Sequence, residues 1–281
     1  MGPFPIRVVT PINCPDSGRH PSQPGASPCV RHQLANRLGP RRFVIYYGWP
    51  SQVNGAEGNV TAAVAILSTF PRVVLGGGNV LPDGDSQAKE IVLGLARARS
   101  EVYGYISIGL GQNQPSYSLT ELARLSERWA CFGAVGLLAD CAGQDFGVEP
   151  ARFRSFVEAA HGTGLRILAN AWAPEDVLGS WSPLGSQGDG YLSENDLIKS
   201  GAALPTQSFE EKLAHVQKWQ QSTGIELWAV CTTPPNPTLK EAINVTRMAS
   251  EVAAQAGVQL DWLAVTDPLY GAANNVALEV L

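Results

Sequence analysis

Eight short apolar runs, rich in Val, Ile, Leu and Tyr, alternate with segments of helical length from Arg41 onward. Strands that are buried on both faces are apolar throughout, and helices between them make right-handed crossovers. Eight such units predict an α/β fold, a (β/α)8 TIM-type barrel of parallel strands. The predicted strands are 43–48, 72–77, 102–109, 134–140, 165–170, 190–194, 225–232 and 260–267.

Amphipathic helices are predicted between these strands, because apolar residues recur there at helical spacing. In 150–163, for example, Phe153, Phe156 and Ala160 share one face. An open doubly wound sheet is the competing architecture. The barrel is preferred because there are eight strands and because no Gly-rich turn has a dinucleotide-binding fingerprint. The predicted helices are 86–99, 118–130, 150–163, 207–222 and 238–256.

Both ends of the chain depart from this alternation. Residues 1–40 are rich in Pro, Ser, Gly and Arg without apolar periodicity, which predicts an extended Pro-rich N-terminal arm, with a disordered tail as the alternative. The barrel domain is assigned to residues 41–281. Only 268–281 follow the last predicted strand, so the last helix is expected to be short or missing. The arm would suit docking onto a larger assembly.

Charge and hydropathy exclude several partners. The net charge of −5 over 281 residues argues against a nucleic-acid binder, which is usually basic. No apolar run approaches the roughly 18 residues that a membrane span needs. The first residues, MGPFPIRVVTPINCP, lack the basic region and apolar stretch of a secretory signal, and the sequence leaves the localisation open.

In barrels of this class the catalytic groups stand at the carboxyl ends of the strands. His and Lys are absent from these predicted ends, which argues against a histidine metal site, a Ser–His–Asp triad and a Schiff-base lysine. We therefore predict neither a metal nor a cofactor. The polar and aromatic residues at the ends are Tyr46, Tyr47, Trp49, Tyr105, Ser107, Asp140, Asn170, Trp172, Glu194, Thr232, Thr233, Thr266 and Asp267.

Two carboxylates remain as candidates for chemistry. Asp140 ends the apolar run AVGLLAD and Glu194 ends GYLSE, so both are expected to converge on the barrel mouth. Glycosidases need one carboxyl group as acid/base and another as nucleophile or base. For Asp140 the structural alternative is a helix cap or a partner for an arginine. Four aromatic residues on predicted rim segments would stack on sugar rings: Trp49, Tyr105, Trp172 and Trp181.

The stretches FVIYYGWP, VYGYISIGLG, GLLADCAGQDFG, LRILANAW and GDGYLSEND occur in an order that resembles the spherulin-like and endo-α-1,4-polygalactosaminidase glycoside hydrolases. The resemblance runs from about Arg41 to Asp267. It implies a (β/α)8 barrel in which Asp140 is the nucleophile or its equivalent and Glu194 the acid/base. Four further residues map onto positions that resemble the family's pocket: Tyr47, Tyr105, Asn170 and Tyr191.

One departure from the family pattern follows Asp140 directly. Many relatives have a second acid there, whereas this chain has Cys141, Ala142 and Gly143, with Asp145 as a displaced substitute. The resemblance implies an extracellular or particle-associated protein.

The expected function is hydrolysis of a galactosamine-containing or related microbial polysaccharide by an endo-acting two-carboxylate glycosidase. The candidate residues are Asp140 and Glu194 for catalysis and Tyr47, Trp49, Tyr105, Asn170, Trp172 and Tyr191 for substrate binding. One rival is a non-catalytic carbohydrate-binding or structural protein of a cell surface or virus particle. A second is a barrel enzyme acting on a phosphorylated metabolite, whose phosphate would bind backbone amides of the last two loops, although TTPPNPT and TDPLYG offer few glycines for that. Separately, the stretch LGGGN at 75–79 is a weak phosphate-loop candidate, which a tight turn after a strand explains equally well.

Overall fold

The computed structural model describes residues 39–76, 87–110, 116–185, 188–204 and 206–270. Nine strands within this part of the chain form one parallel sheet. They are β1 (Arg41–Arg42), β2 (Val44–Tyr46), β3 (Arg72–Leu75), β4 (Glu101–Ser107), β5 (Gly136–Asp140), β6 (Arg166–Ala169), β7 (Gly190–Glu194), β10 (Glu226–Thr232) and β11 (Trp262–Thr266). Their order in the sheet is β1-β11-β10-β7-β6-β5-β4-β3-β2. A short antiparallel hairpin, which the sequence did not predict, follows β7: β8 (Ile198–Lys199) and β9 (Ala202–Ala203).

The sheet returns on itself through its first strand. β1 pairs with β11, while β2, which is separated from β1 only by Phe43, pairs with β3. The Phe43 amide donates to the Leu263 carbonyl of β11 at 3.3 Å. The molecule is therefore a (β/α)8 TIM-type barrel whose first strand is β1 together with β2. This confirms the fold predicted from the eight apolar runs.

Helices connect the barrel strands and pack on their outer face, except between β6 and β7, where the described connection contains only a 3-10 helix at Pro174–Asp176. Five of the six described helices were predicted, and the short first one was not. Two helices begin with capping boxes, in which the Ser118 or Thr238 hydroxyl accepts from the amide of Glu121 or Glu241, whose carboxylate reaches back to the cap. The helices are α1 (Val60–Leu67), α2 (Ala88–Arg97), α3 (Leu119–Phe132), α4 (Pro150–Gly162), α5 (Thr206–Thr223) and α6 (Leu239–Gln255).

Alternate side chains of each strand fill the inside of the barrel. Glycines make room for the large rings there: a Cβ atom at Gly136 would lie 2.3 Å from the Tyr103 ring, and one at Gly190 would lie 3.0 Å from the Trp228 indole nitrogen. Large and small residues thus complement each other across the interior. The inward apolar cluster contains Phe43, Ile45, Val74, Tyr103, Leu138, Leu168, Leu192, Trp228, Val230, Trp262, Ala264 and Tyr270.

Buried charges close the amino-terminal end of the barrel. The Arg72 guanidinium donates to Glu101 at 2.7 Å and also contacts Glu226. The indole nitrogens of Trp228 and Trp262 donate to the same Glu226 oxygen at 3.1 and 3.2 Å. These paired charges form a connected layer, the floor, beneath the apolar cluster.

Three predicted features lie outside the described residues. They are the arm at 1–38, the segment 271–281 where the last helix was in question, and Gly77–Asn79 of the phosphate-loop candidate. Among the helices that are described, none is both long and apolar enough to cross a bilayer.

The outer face of β4 provides a test of the packing between helix and barrel. A Cβ atom at Gly104 would lie 2.1 Å from the fully buried Trp129 ring of α3. We expect Gly104→Ala to lower the free energy of unfolding by about 1–3 kcal/mol, because an overpacked core must shift. Gly162→Ala is the matched control, since a Cβ atom there meets nothing within 4 Å. Urea unfolding of both variants checks this, and equal stabilities would contradict it.

Candidate active site

The two predicted acids stand at corresponding places in the barrel. Asp140 is the last residue of β5 and Glu194 the last of β7, with β6 between these strands. Leu138 and Leu192, two positions earlier, belong to the inward cluster. Since side chains alternate along a strand, both acids point inward at the carboxyl-terminal mouth. The mouth therefore contains both carboxylates above an apolar layer.

Each acid accepts a hydrogen bond from a tyrosine. The Tyr105 hydroxyl donates to Asp140 Oδ2 at 2.7 Å, and the Tyr270 hydroxyl donates to Glu194 Oε1 at 2.8 Å. Burial, followed by the charge of the bonded carboxylate, raises the pKa of each of these two tyrosines above its ordinary value. Both phenols therefore keep their protons and act as donors.

Tyr47 joins the two tyrosines into one aromatic wall. Its ring stacks on Tyr270, with centroids 5.3 Å apart, and meets the Tyr105 ring edge-on at 5.1 Å. Burial raises the pKa of Tyr47, and the charges of Asp140 and Glu194 add to that rise. Tyr47 therefore lies within electrostatic reach of both carboxylates.

The surroundings of Glu194 raise its pKa above the ordinary value of a glutamate. Burial is the largest cause of its raised pKa, and the negative charges of Asp140 and Asp196 act in the same direction. The hydrogen bond from Tyr270 and the charge of Lys212 partly oppose this rise. A carboxyl group whose pKa is raised by burial beside another carboxylate is suited to act as a general acid.

The backbone turns left-handed directly after each acid. Cys141 has φ 53° and Asn195 has φ 55°, a conformation that is uncommon for residues other than glycine. Strained residues of this kind concentrate at functional sites. Burial, followed by the charge of Asp140, raises the pKa of the Cys141 thiol to about 12. The thiol therefore stays protonated, which argues against a nucleophilic cysteine.

Two tryptophans on the loops beyond the strands expose their rings. The exposed fraction is 49% for Trp49 and 75% for Trp172. The Lys212 ammonium lies 5.5 Å from the centre of the Trp172 ring and pairs with Asp196 at 2.8 Å. An exposed aromatic face flanked by charged groups can stack against a sugar.

The other predicted binding residues have different surroundings. Asn170 follows β6, between the acids, and donates to the Leu192 carbonyl at 3.2 Å. Tyr191 has an exposed fraction of 0% and lies in the outer layer, because it is an odd number of residues from the inward Glu194. Its hydroxyl donates to the Ala171 carbonyl at 2.8 Å. Tyr191 thus supports the segment next to Trp172, and its fully buried side chain offers no surface to a substrate.

Trp181 was wrongly predicted to lie on the rim. Its ring packs edge-on against Phe153 of α4, with centroids 6.1 Å apart, outside the barrel. It belongs to the packing between loop and helix.

Sequence reasoning missed two residues that contact Glu194 or its partner. Tyr270 lies four residues beyond the end of β11, and Asn195 donates to the Tyr270 hydroxyl at 3.1 Å. Asn195 could have been identified from the sequence, because it directly follows Glu194. Tyr270 falls in the stretch TDPLYG after the eighth strand, and no spacing marks its side chain as turning back into the barrel.

No cluster of three or more His, Cys, Asp or Glu that could hold a metal occurs in the described part of the chain. The sequence matches no protein-family model and no curated protein.

Solved structures, in contrast, show clear similarity. The glycoside hydrolase domain of PelA from Pseudomonas aeruginosa is 17% identical with a TM-score of 0.53, over 83% of this chain and 96% of that one. Aspergillus fumigatus Ega3, solved with galactosamine, is 13% identical with a TM-score of 0.51, over 83% and 93%. Endoglucanase Cel5A from Thermotoga maritima is 11% identical with a TM-score of 0.51, over 91% and 100%.

The chain therefore resembles glycoside hydrolases in its fold. At these identities the similarity establishes the barrel, and the reaction has to be inferred from the residues of the mouth.

The interaction between the two carboxyl groups can be tested without a substrate. We expect Asp140→Asn to lower the pKa of Glu194, because a neighbouring negative charge that opposes ionisation is removed. Carbon-13 NMR of protein labelled at the glutamate carboxyl groups measures this titration, and Glu194→Gln assigns the resonance. Asp145→Asn is the control and should change this titration less, since Asp140, Asp196 and Lys212 are the charges with the largest effects on the Glu194 pKa. An unchanged Glu194 titration in Asp140→Asn would contradict the expected coupling.

Proposed function

We propose that this protein is a glycoside hydrolase that cleaves a galactosamine-containing or related microbial polysaccharide with two carboxyl groups. The observation that carries the proposal is the pair Asp140 and Glu194, which face one barrel mouth with a raised pKa at Glu194. Glycosidases require a pair of acids in different protonation states. The chain shares its barrel fold with PelA, Ega3 and Cel5A, and the inference to the reaction rests on the residues of the mouth.

In the proposed reaction, Glu194 donates its proton to the glycosidic oxygen as the bond from that oxygen to the anomeric carbon breaks. Asp140 faces the positive charge that develops at the anomeric carbon, either stabilising it or bonding to it. Water then adds to the anomeric carbon and returns a proton to a carboxylate. One water is consumed for each bond that is cut, and no further reactant is needed.

The substrate class is inferred from the rim. Trp172 and Trp49 offer exposed rings for stacking. The carboxylates of Asp145 and Asp176 both lie close to Gly143, on the segment that follows β5. Acidic groups would favour a polymer with free amino groups over an anionic one. Galactosamine is the sugar named with Ega3, which has the same fold.

The catalytic assignment predicts a loss of hydrolysis in two conservative variants. We expect the wild type to release oligosaccharides from galactosamine-rich polysaccharide, while Asp140→Asn and Glu194→Gln lose at least about a hundredfold in kcat. Mass spectrometry of the products measures this release. Glu127→Gln on the exposed side of α3 is the matched control and should retain full activity.

Full activity in either mouth variant would remove that residue from the mechanism. No cleavage by the wild type across a broad glycan panel would contradict the hydrolase proposal itself.

A non-catalytic carbohydrate-binding protein is the second candidate. The observation that favours it is Cys141, a buried thiol where many proteins of the family that the sequence resembles have a second acid. A protein of this kind would bind the same polymer through the same mouth and release no product.

The exposed ring of Trp172 predicts an effect on oligosaccharide affinity, whether the protein is a hydrolase or a binding protein. We expect Trp172→Ala to weaken binding of an oligosaccharide by about five- to fiftyfold, because the ring loses a stacked sugar. Isothermal titration calorimetry measures the affinity, and each variant also has Glu194→Gln so that the oligosaccharide is not hydrolysed during the measurement. Ile243→Ala on α6, also an exposed apolar residue, is the control. Equal affinities for the two variants would show that Trp172 does not contact sugar.

A further inference from the structure

A chain of four hydrogen bonds ends on Glu194. The Ser200 backbone amide, beside the hairpin after β7, donates to the Thr232 hydroxyl at 2.9 Å. The Thr232 hydroxyl donates to Asn195 Oδ1 at 2.8 Å. Asn195 Nδ2 donates to the Tyr270 hydroxyl at 3.1 Å, and that hydroxyl donates to Glu194 Oε1 at 2.8 Å. The chain thus connects β10 and the segment after β11 to the end of β7.

The four bonds run in one consistent direction. The Ser200 amide can only donate, so the Thr232 hydroxyl accepts from it, and the same hydroxyl donates its one proton to Asn195 Oδ1. With Oδ1 facing Thr232, the Asn195 amide nitrogen faces the Tyr270 hydroxyl and donates to it. With its oxygen already accepting from Asn195, the Tyr270 hydroxyl directs its proton at Glu194.

We propose that Tyr270 is a positioning residue for the acid, which holds Glu194 Oε1 as an acceptor so that the transferable proton resides on Oε2. The inference rests on the proposed hydrolase function. A neutral carboxyl group accepts a hydrogen bond best at its carbonyl oxygen, so an O–H donor at Oε1 directs the proton to the other oxygen. The acid is then presented in one orientation instead of two.

Tyr270 is well fixed for this task. Its backbone carbonyl accepts from the Tyr47 amide at 2.7 Å, and its ring stacks on the Tyr47 ring. Its own amide donates to the Asp267 carbonyl at 3.1 Å. The left-handed backbone at Tyr270, with φ 58°, turns the side chain back toward the mouth. This local strain is consistent with a functional constraint.

The groups that face Glu194 come from several elements. Asp140 approaches from β5, Asp196 from the segment after β7 and Lys212 from α5. Tyr47 lies beside β2, and Tyr270 itself comes from beyond β11. Among these groups Tyr270 donates a hydrogen bond directly to the acid. Its removal is therefore expected to change the titration of Glu194 while the surrounding charges stay in place.

The test is a titration of Glu194 in Tyr270→Phe by carbon-13 NMR of glutamate carboxyl groups, without a substrate. A hydrogen bond to the ionised form lowers a carboxyl pKa, so its loss should raise the pKa of Glu194. Thr232→Val, which removes the second donor of the chain, should produce a smaller rise in the same direction. Tyr103→Phe, an inward hydroxyl on the floor side of β4, is the control and should leave Glu194 unchanged.

Activity provides the second readout. If the wild type hydrolyses the polymer, the alkaline limb of the kcat/KM profile should move to higher pH in Tyr270→Phe, because Glu194 stays protonated longer. The value of kcat should fall by roughly ten- to a hundredfold with little change in KM.

The positioning role of Tyr270 and the hydrolase function would be contradicted by different results. An unchanged Glu194 pKa in both Tyr270→Phe and Thr232→Val, or a fall in it, would overturn the positioning role, since a fall means that Glu194 itself donates to Tyr270. An inactive wild type with the predicted rise in pKa would instead contradict the hydrolase function and leave the hydrogen-bond chain intact.

Discussion

The closed sheet imposes one constraint that the rest of the structure follows: a side chain on a barrel strand points either inward or toward the helices. Leu138 and Leu192 point inward, so Asp140 and Glu194, two positions later, do so as well. The floor beneath them is completed by the paired charges of Arg72 and its partners. Both acids therefore stand above a filled, apolar interior, and burial is the largest cause of the raised pKa of Glu194.

The two carboxylates differ in what surrounds them. Asp140 accepts from Tyr105 and lies beside the Cys141 thiol, whereas Glu194 lies at the end of an ordered series of donors that passes through Asn195 and Tyr270. Two acids in one mouth with unlike partners can take unlike roles, as a glycosidase requires. The backbone turns left-handed directly after both acids, an uncommon conformation that the surrounding structure must hold in place.

Much of the fold was predictable because strands buried on both faces are apolar along their whole length. The acids were predictable because a charge that follows such a run must mark the end of the strand. Tyr191 was assigned to the pocket by resemblance, although alternation along β7 places it opposite to Glu194. Trp181 and Tyr270 lie outside the strands, where no periodicity relates sequence position to direction. Their positions depend on tertiary contacts with Phe153 and Tyr47.

The central claim is that the mouth cuts a glycosidic bond by adding water, and an isotope measurement tests it most directly. The protein is incubated with galactosamine-rich polysaccharide in water enriched in oxygen-18, and the first products are analysed by mass spectrometry under conditions that limit exchange. Hydrolysis at the mouth predicts fragments with one heavy oxygen at each new reducing end. Unlabelled, unsaturated fragments would indicate elimination, and polymer that is bound but uncut would indicate a binding protein; either result would contradict hydrolysis.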